Sequence, residues 1–174
     1  MKLQNLFFSK LFLLISITLF FSFGSKKQTA QYSVQDEINE KISEMAQILN
    51  TNFDGSYVFG GSRGTSKPMG TDKVAGNTEL FLADRDGFRV SNDQEEAMIG
   101  KKLSVEISQG VTMEYNVTAT ELLNFKNSDG EVVSLTEVFK NITSHLGSTN
   151  EQDSLELTGG DLEDVTNAID NLLR

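Results

Sequence analysis

Any chemistry in this chain would have to come from carboxylates, one histidine and a few glycine-rich loops. There are 25 Asp and Glu residues, yet none sits in an apolar stretch where burial would raise its pKa for acid–base work. Glu95-Glu96 and Glu163-Asp164 read as solvated faces. His145 is the single imidazole, so a histidine-rich metal site has no second ligand and a Ser-His-Asp triad would rest on it alone. No serine stands in a G-x-S-x-G setting. Close to Gly147, His145 reads as a polar residue at a helix end, where the helix dipole favours it. The chain has no cysteine, which excludes disulfides, thiolate zinc sites and cysteine nucleophiles.

Two loops imitate binding motifs. Gly60-Gly61-Ser62-Arg63-Gly64 offers backbone donors and a cation, but no Gly-Lys-Ser/Thr follows and no helix start is evident there to cradle a phosphate. Asp84 and Asp86 are spaced like the first two ligands of a calcium loop. Gly87 follows Asp86 directly and position 93 is Asp, whereas a calcium-binding hand needs another Asp or Asn before its glycine and a Glu six residues beyond it. Asn116-Val117-Thr118 and Asn141-Ile142-Thr143 match the glycosylation sequon, which constrains function only where the compartment is known. The expectation is a protein that is not an enzyme, with no catalytic residue, no metal and no cofactor.

The elements that could position any site belong to a globular α+β chain. Its 174 residues, 38% hydrophobic and 23% charged, suffice for a single sizeable domain or for a small fold in two portions. A formal charge of −10 disfavours nucleic acid and anionic membrane surfaces, because the field repels phosphate.

Residues 1–27 differ from the rest. Lys2 and Lys10 precede an apolar run from Leu11 to Phe23, and Lys26-Lys27 closes it, the pattern of a secretory signal or, counted from Leu6, of a signal anchor. Gln28 to Ser33 is a polar connector, with Ser33 a candidate cap. A helix is expected from Val34 to about Asn50, with Ile38, Ile42, Met45 and Leu49 forming a seam stepping by four, three and four.

Asp54-Gly55 supplies a turn, Ser56 to Phe59 a short strand, and Gly60-Gly61 an exit into a loop running to Pro68. Met69 to Thr78 is polar, Glu79 to Leu82 is strand-like, and Asp86-Gly87 turns toward Phe88-Arg89-Val90. Asn92 to Ala97 is an acidic loop or a helical turn. Leu103, Val105 and Ile107, then Val111, Met113, Tyr115 and Val117, alternate with polar residues about Gln109-Gly110, which predicts a half-buried antiparallel hairpin. Leu122, Leu123 and Phe125 would close that sheet or start its return.

Asn127 to Gly130 is another turn. Ser134 and Glu137 form a capping box for a helix with Leu135, Val138, Phe139, Ile142 and Leu146 on one face. A loop from Gly147 to Asp153 follows. Asp161 can cap a last helix whose stripe is Leu162, Val165, Ile169 and Leu172, and Arg174 ends the chain with that seam still running.

Asn50-Thr51, Gly55, Tyr57-Val58-Phe59-Gly60-Gly61 and Pro68, placed after an amphipathic helix, resemble the flagellin superfamily, and within it the hook-filament junction, or third hook-associated, proteins. The resemblance covers roughly Val34 to Arg174 and includes the hairpin from Val105 to Asn116. It implies an antiparallel helical stalk, a truncated coiled-coil hairpin of residues 28–53 and 134–174, carrying an inserted β-rich outer domain of residues 54–133. A hydrophobic helix of residues 1–27 would precede them.

Asn50, Gly55, Tyr57, Phe59, Gly60 and Gly61 would then form the passage from stalk to β domain. Ile38, Ile42, Met45 and Leu49 would pack against Leu162, Val165, Ile169 and Leu172, leaving edges for assembly. The implied role is that of an extracellular structural subunit of the bacterial flagellum, serving cell motility. Its implied partners are other hook-associated proteins, flagellin and an export chaperone.

Two features depart from the family. Residues 1–24 replace the helical export segment that the flagellar apparatus reads, and the C-terminal helix is short, so the expectation is a truncated or mis-started reading frame. The alternative is a signal-anchored or secreted β-domain binding module, in which membrane contact runs through residues 1–27.

Overall fold

The computed structural model describes residues 28–127, 130–148 and 150–172; the hydrophobic segment of residues 1–27 lies outside them. The chain divides into two compact units, one running from Glu37 to Asn124 and the other made of the residues up to Asp36 and from Phe125 onward. The first helix, α1, spans Gln28–Leu49, so the connector expected over residues 28–33 is helical and Ser33 lies inside the helix rather than capping it. Gln28-Thr29-Ala30-Gln31 contains no glycine or proline to stop the helix from extending back.

In the unit from Glu37 to Asn124, α1 presents a buried stripe of Ile38, Ile42, Ala46 and Leu49, while Met45 is half-buried. Strands β1 (Asn52–Phe53) and β2 (Ser56–Tyr57) pair across the expected Asp54-Gly55 turn. Both turn residues have positive φ, 50° and 80°, the mirror-image turn that suits strand twist. The strand is shorter than expected, because Val58 and Phe59 already turn away.

Strands β3 (Met69–Val74) and β4 (Asn77–Leu82) form a second hairpin, where only the later strand was expected. Its turn residues Ala75 and Gly76 have φ of 50° and 87°. Asp84-Arg85-Asp86-Gly87 turns as expected, and Ala83 bridges Arg89 beyond it. Of the two readings of residues 92–97, loop or helical turn, the helical one holds and extends to helix α2 (Asp93–Gly100); the Asn92 side chain caps it by accepting from the Glu95 N–H at 2.9 Å.

Strands β5 (Ser104–Ser108) and β6 (Val111–Glu114) pair antiparallel as the alternation requires, with a bulge between Glu106 and Ser108. The expectation that this hairpin is half-buried is overturned. Every residue of both strands is exposed, because this sheet has only two strands. The segment expected to close it instead forms helix α3 (Ala119–Leu123), capped by the Thr118 hydroxyl.

In the other unit, β7 (Asn124–Lys126) pairs with β8 (Val132–Ser134). Helix α4 (Leu135–Leu146) buries Leu135, Val138, Phe139, Ile142 and Leu146, the face that its periodicity predicts. The expected capping box is not formed. Ser134 ends β8 with extended backbone, and its hydroxyl lies 2.7 Å from the Thr136 hydroxyl.

Residues 151–158, expected as the end of a loop and a short apolar stretch, fold into helix α5 (Glu151–Thr158), which Asn150 caps at 3.0 Å. Helix α6 (Gly160–Leu172) follows, and α4, α5 and α6 pack against one another. Asp161 is not the cap of α6. It lies buried in the first turn, its carboxylate 2.6 Å from His145 Nδ1 at the end of α4, so the histidine at a helix end has a partner on α6.

Burial first, and then the neighbouring Asp161 and Glu163, hold the Asp164 carboxyl above its usual value. A raised carboxyl means that the folded chain binds more protons than the unfolded chain between the ordinary pKa and the raised one. This contribution to stability is full below the ordinary value and is lost as pH rises through the raised one. Asp164→Asn is therefore expected to raise the thermal midpoint at neutral pH. The gain should shrink to nothing near about pH 3, below ordinary carboxylate values; a midpoint unchanged at neutral pH would refute the assignment.

Candidate junction and assembly site

Among the residues singled out by sequence, Asn50 lies where α1 meets the β3–β4 hairpin and Gly60-Gly61 in the loop after β2 that meets α2, whereas Leu162, Val165 and Ile169 lie on α6 in the other unit. Asn50, just past the end of α1, clamps the start of β3 in both directions. Its Nδ2 donates to the Met69 carbonyl at 2.9 Å and its Oδ1 accepts from the Met69 N–H at 3.0 Å. Asn39, three turns earlier on the helix and buried, does the same at the hairpin tip. Nδ2 donates to the Gly76 carbonyl at 3.3 Å and Oδ1 accepts from the Thr78 N–H at 2.6 Å. Each carboxamide supplies one donor and one acceptor, as a neighbouring strand would.

The loop from Tyr57 to Pro68 wraps around Arg63, whose side chain is only 2% exposed. Its guanidinium donates to Glu95 Oε2 of α2 at 3.0 Å, to the Lys67 carbonyl at 3.0 Å and to the Ala83 carbonyl at 2.5 Å. Burial lowers its pKa from the usual guanidinium value, and the Glu95 carboxylate pulls the other way. The expectation that Glu95 lies on a solvated face is corrected, because its carboxylate is the counter-charge of a buried cation. Glu96 is exposed.

Gly61 has φ of 60°, and a Cβ there would fall on the Ile99 carbonyl oxygen and 2.5 Å from that of Met98. Both carbonyls belong to the last turn of α2, whose terminal carbonyls lack partners within the helix. Ser62 supplies one partner, donating to the Met98 carbonyl from its N–H at 3.0 Å and from its hydroxyl at 3.1 Å. A Cβ on Gly60 would lie 2.8 Å from the Arg63 carbonyl oxygen. Gly61 thus allows close backbone approach to a helix C-terminus, which carries partial negative charge and so repels anions, while Gly60 lets the loop turn tightly on itself.

Tyr57 donates its N–H to the Gly64 carbonyl at 2.7 Å, and the buried Phe59 accepts from the Ala119 N–H at the start of α3 at 2.9 Å. Gly55 occupies the β1–β2 turn, open on all sides. Of the other stripe, Val165 is buried and Leu162 and Ile169 are half-buried, while the side chain of Leu172 lies outside the described residues. Asp84, weighed as a calcium ligand, accepts from the Asp86 and Phe88 N–H groups at 2.9 and 2.8 Å. Both sequon threonines are buried and hydrogen-bonded locally.

Sequence reasoning missed Asn39 and did not assign Arg63 its role. Asn39 was legible as a poor helix former falling seven residues before Ala46 and eleven before Asn50, on one helical face. Arg63 carried no such signal, since its partners are two main-chain carbonyls and a glutamate 32 residues away.

The chain matches no family model and no curated protein by sequence. Among solved structures its fold is similar to a chain from Vibrio parahaemolyticus assigned as a flagellar hook-associated protein, with a TM-score of 0.63 and 17% identity over 95% of this chain. It is also similar to FlgL of Xanthomonas campestris, with a TM-score of 0.65 and 9% identity over 95% of this chain. The chain spans 64% of the length of the first structure and 78% of the second.

Gly61→Ala is expected to cost at least about 2 kcal/mol in urea unfolding, from positive φ and overlap with main chain together. Gly55→Ala, which has positive φ but open space, should cost only about 1 kcal/mol. Equal costs would show that the approach to α2 is not what requires glycine. Glu95→Gln is expected to destabilise by about 3–5 kcal/mol, because it leaves a buried cation without its counter-charge; a loss below about 0.5 kcal/mol, the range of an ordinary surface change, would refute that role.

Proposed function

We propose that this chain is a structural subunit of the bacterial flagellum, of the hook-associated or flagellin-like type, which works by packing against neighbouring subunits outside the cell and carries out no reaction. The observation that carries the reading is the likeness of fold over 95% of the chain to two flagellar proteins. The junction geometry supports it, since the residues behind the family resemblance, Asn50 and Tyr57 to Gly61, hold together a helix, a loop and two hairpins. Arg63, Glu95 and Asp84 are occupied in holding the chain together.

In this reading the buried Ile38, Ile42, Leu49 and Val165 serve internal packing. The half-buried Met45, Leu162 and Ile169 are edges left for other flagellar subunits, the hook-associated proteins and flagellin. Among the described residues no helix is long and apolar enough to cross a membrane.

Epitope-tagged full-length chain, expressed in a flagellated bacterium and located by immunogold electron microscopy, tests the proposal. Label concentrated on hooks or at the hook-filament boundary is the expected result. Label confined to the cell envelope, with none on flagella, would overturn it in favour of a signal-anchored binding module.

A further inference from the structure

Sulfur occurs in this chain only in five methionines, since cysteine is absent. An oxidant that would otherwise be consumed first by a thiolate therefore meets only thioethers. Their surroundings differ widely. Met69, at the start of β3, is 2% exposed, while Met45 on α1 and Met98 on α2 are half-buried. Met113, in β6, is 51% exposed, the most open thioether among the described residues.

The place of Met113 in the fold gives its oxidation a consequence. It stands directly opposite Val105 of β5, and the two side chains share a face of the sheet. That sheet has only two strands, and every residue of both is exposed. A two-stranded sheet is marginal in water, so cross-strand pairs such as Val105 with Met113 supply much of what holds it closed. The bulge between Glu106 and Ser108 already interrupts the ladder on the side toward the turn.

We propose that Met113 is an oxidative modification site, the thioether that neutral peroxides such as hydrogen peroxide convert to the sulfoxide, and that this change loosens the β5–β6 hairpin. The inference goes beyond the flagellar reading and does not depend on it. A lone pair on Sδ attacks one peroxide oxygen, and the sulfur–oxygen bond forms as the oxygen–oxygen bond breaks. The departing hydroxide takes the proton of the transferred oxygen and leaves as water. Sulfur is oxidised by two electrons and the peroxide is reduced by two. Hydrogen peroxide is uncharged, so neither the net charge of −10 nor the adjacent Glu114 repels it.

The sulfoxide is polar where the thioether was apolar. Its oxygen keeps its water only by turning away from Val105, and the cross-strand contact is lost. Methionine sulfoxide reductases reverse the change, one enzyme for each epimer, so the modification is a reversible one.

Full-length chain treated with limiting hydrogen peroxide and mapped by peptide mass spectrometry is expected to gain sulfoxide at Met113 at least about tenfold faster than at Met69, which must wait for local opening. Amide exchange followed by NMR reads the consequence. The Tyr115 N–H, bonded to the Leu103 carbonyl at 3.1 Å, should exchange about threefold faster once Met113 is oxidised. The Thr78 N–H, held by Asn39 in another hairpin, should not change. Both reductases together should restore the original rate at Tyr115, and Met113→Leu should show no response there to peroxide. Sulfoxide forming no faster at Met113 than at Met69, unchanged exchange at Tyr115 after oxidation, or a response that persists in Met113→Leu would each overturn the proposal.

Discussion

The interaction on which the larger unit depends is the burial of one guanidinium. Arg63 loses its water and gains one carboxylate and two main-chain carbonyls. Desolvating a cation costs several kcal/mol, and only well-placed partners offset it. The three partners belong to α2, to the loop itself and to the residue just after β4, so these parts cannot move apart without exposing carbonyls and stranding a charge. A lysine could not substitute, because its point charge lacks the planar fork that reaches three acceptors in fixed directions. The glycines follow from the same constraint. For Arg63 to point inward, the preceding backbone must press against the end of α2, and at Gly61 a side chain would occupy the space of the Ile99 carbonyl.

The second constraint is register. Asn39 and Asn50 hold the β3–β4 hairpin to α1 at its tip and at its base, through four hydrogen bonds that use both ends of both carboxamides. Hydrophobic contact is non-directional and would tolerate a small slide of helix along hairpin. Sliding by one turn would leave the Thr78 and Met69 N–H groups without acceptors, at about 1–3 kcal/mol for each buried donor. The buried asparagines therefore fix position where the apolar stripe beside them supplies attraction.

Much of the fold was legible in the sequence where one face of an element is buried. The face of α4 could be read from its spacing because burial falls on a regular stripe. Helix α5 could not, since Leu157 is its only buried residue and one contact leaves no period. Strand β3, Met-Gly-Thr-Asp-Lys-Val, has only Met69 buried, so alternation is absent, and its turn carries Ala75 where asparagine would have announced positive φ. In the junction, the positions of Asn50, Gly60 and Gly61 came from motif and turn chemistry. The Arg63 network was hidden because carbonyl acceptors leave no trace in side-chain identity. Glu95, next to Glu96, looked like one half of a solvated pair.

The β5–β6 hairpin shows what periodicity does and does not report. Alternation predicts that one face avoids water, and strand pairing and facing follow from it correctly. The inference from alternation to burial assumes that the cover comes from the same chain. Here the alternating residues face outward, and bulk hydrophobicity alone would not distinguish an internal face from an external one. What distinguishes them is the kind of contact. Where this chain must hold itself in one geometry, at Arg63, Asn39 and Asn50, it uses directional bonds with little tolerance for displacement. On the outward face, side chains such as Val105 and Met113 can meet another surface and part from it without leaving a buried polar group unpaired.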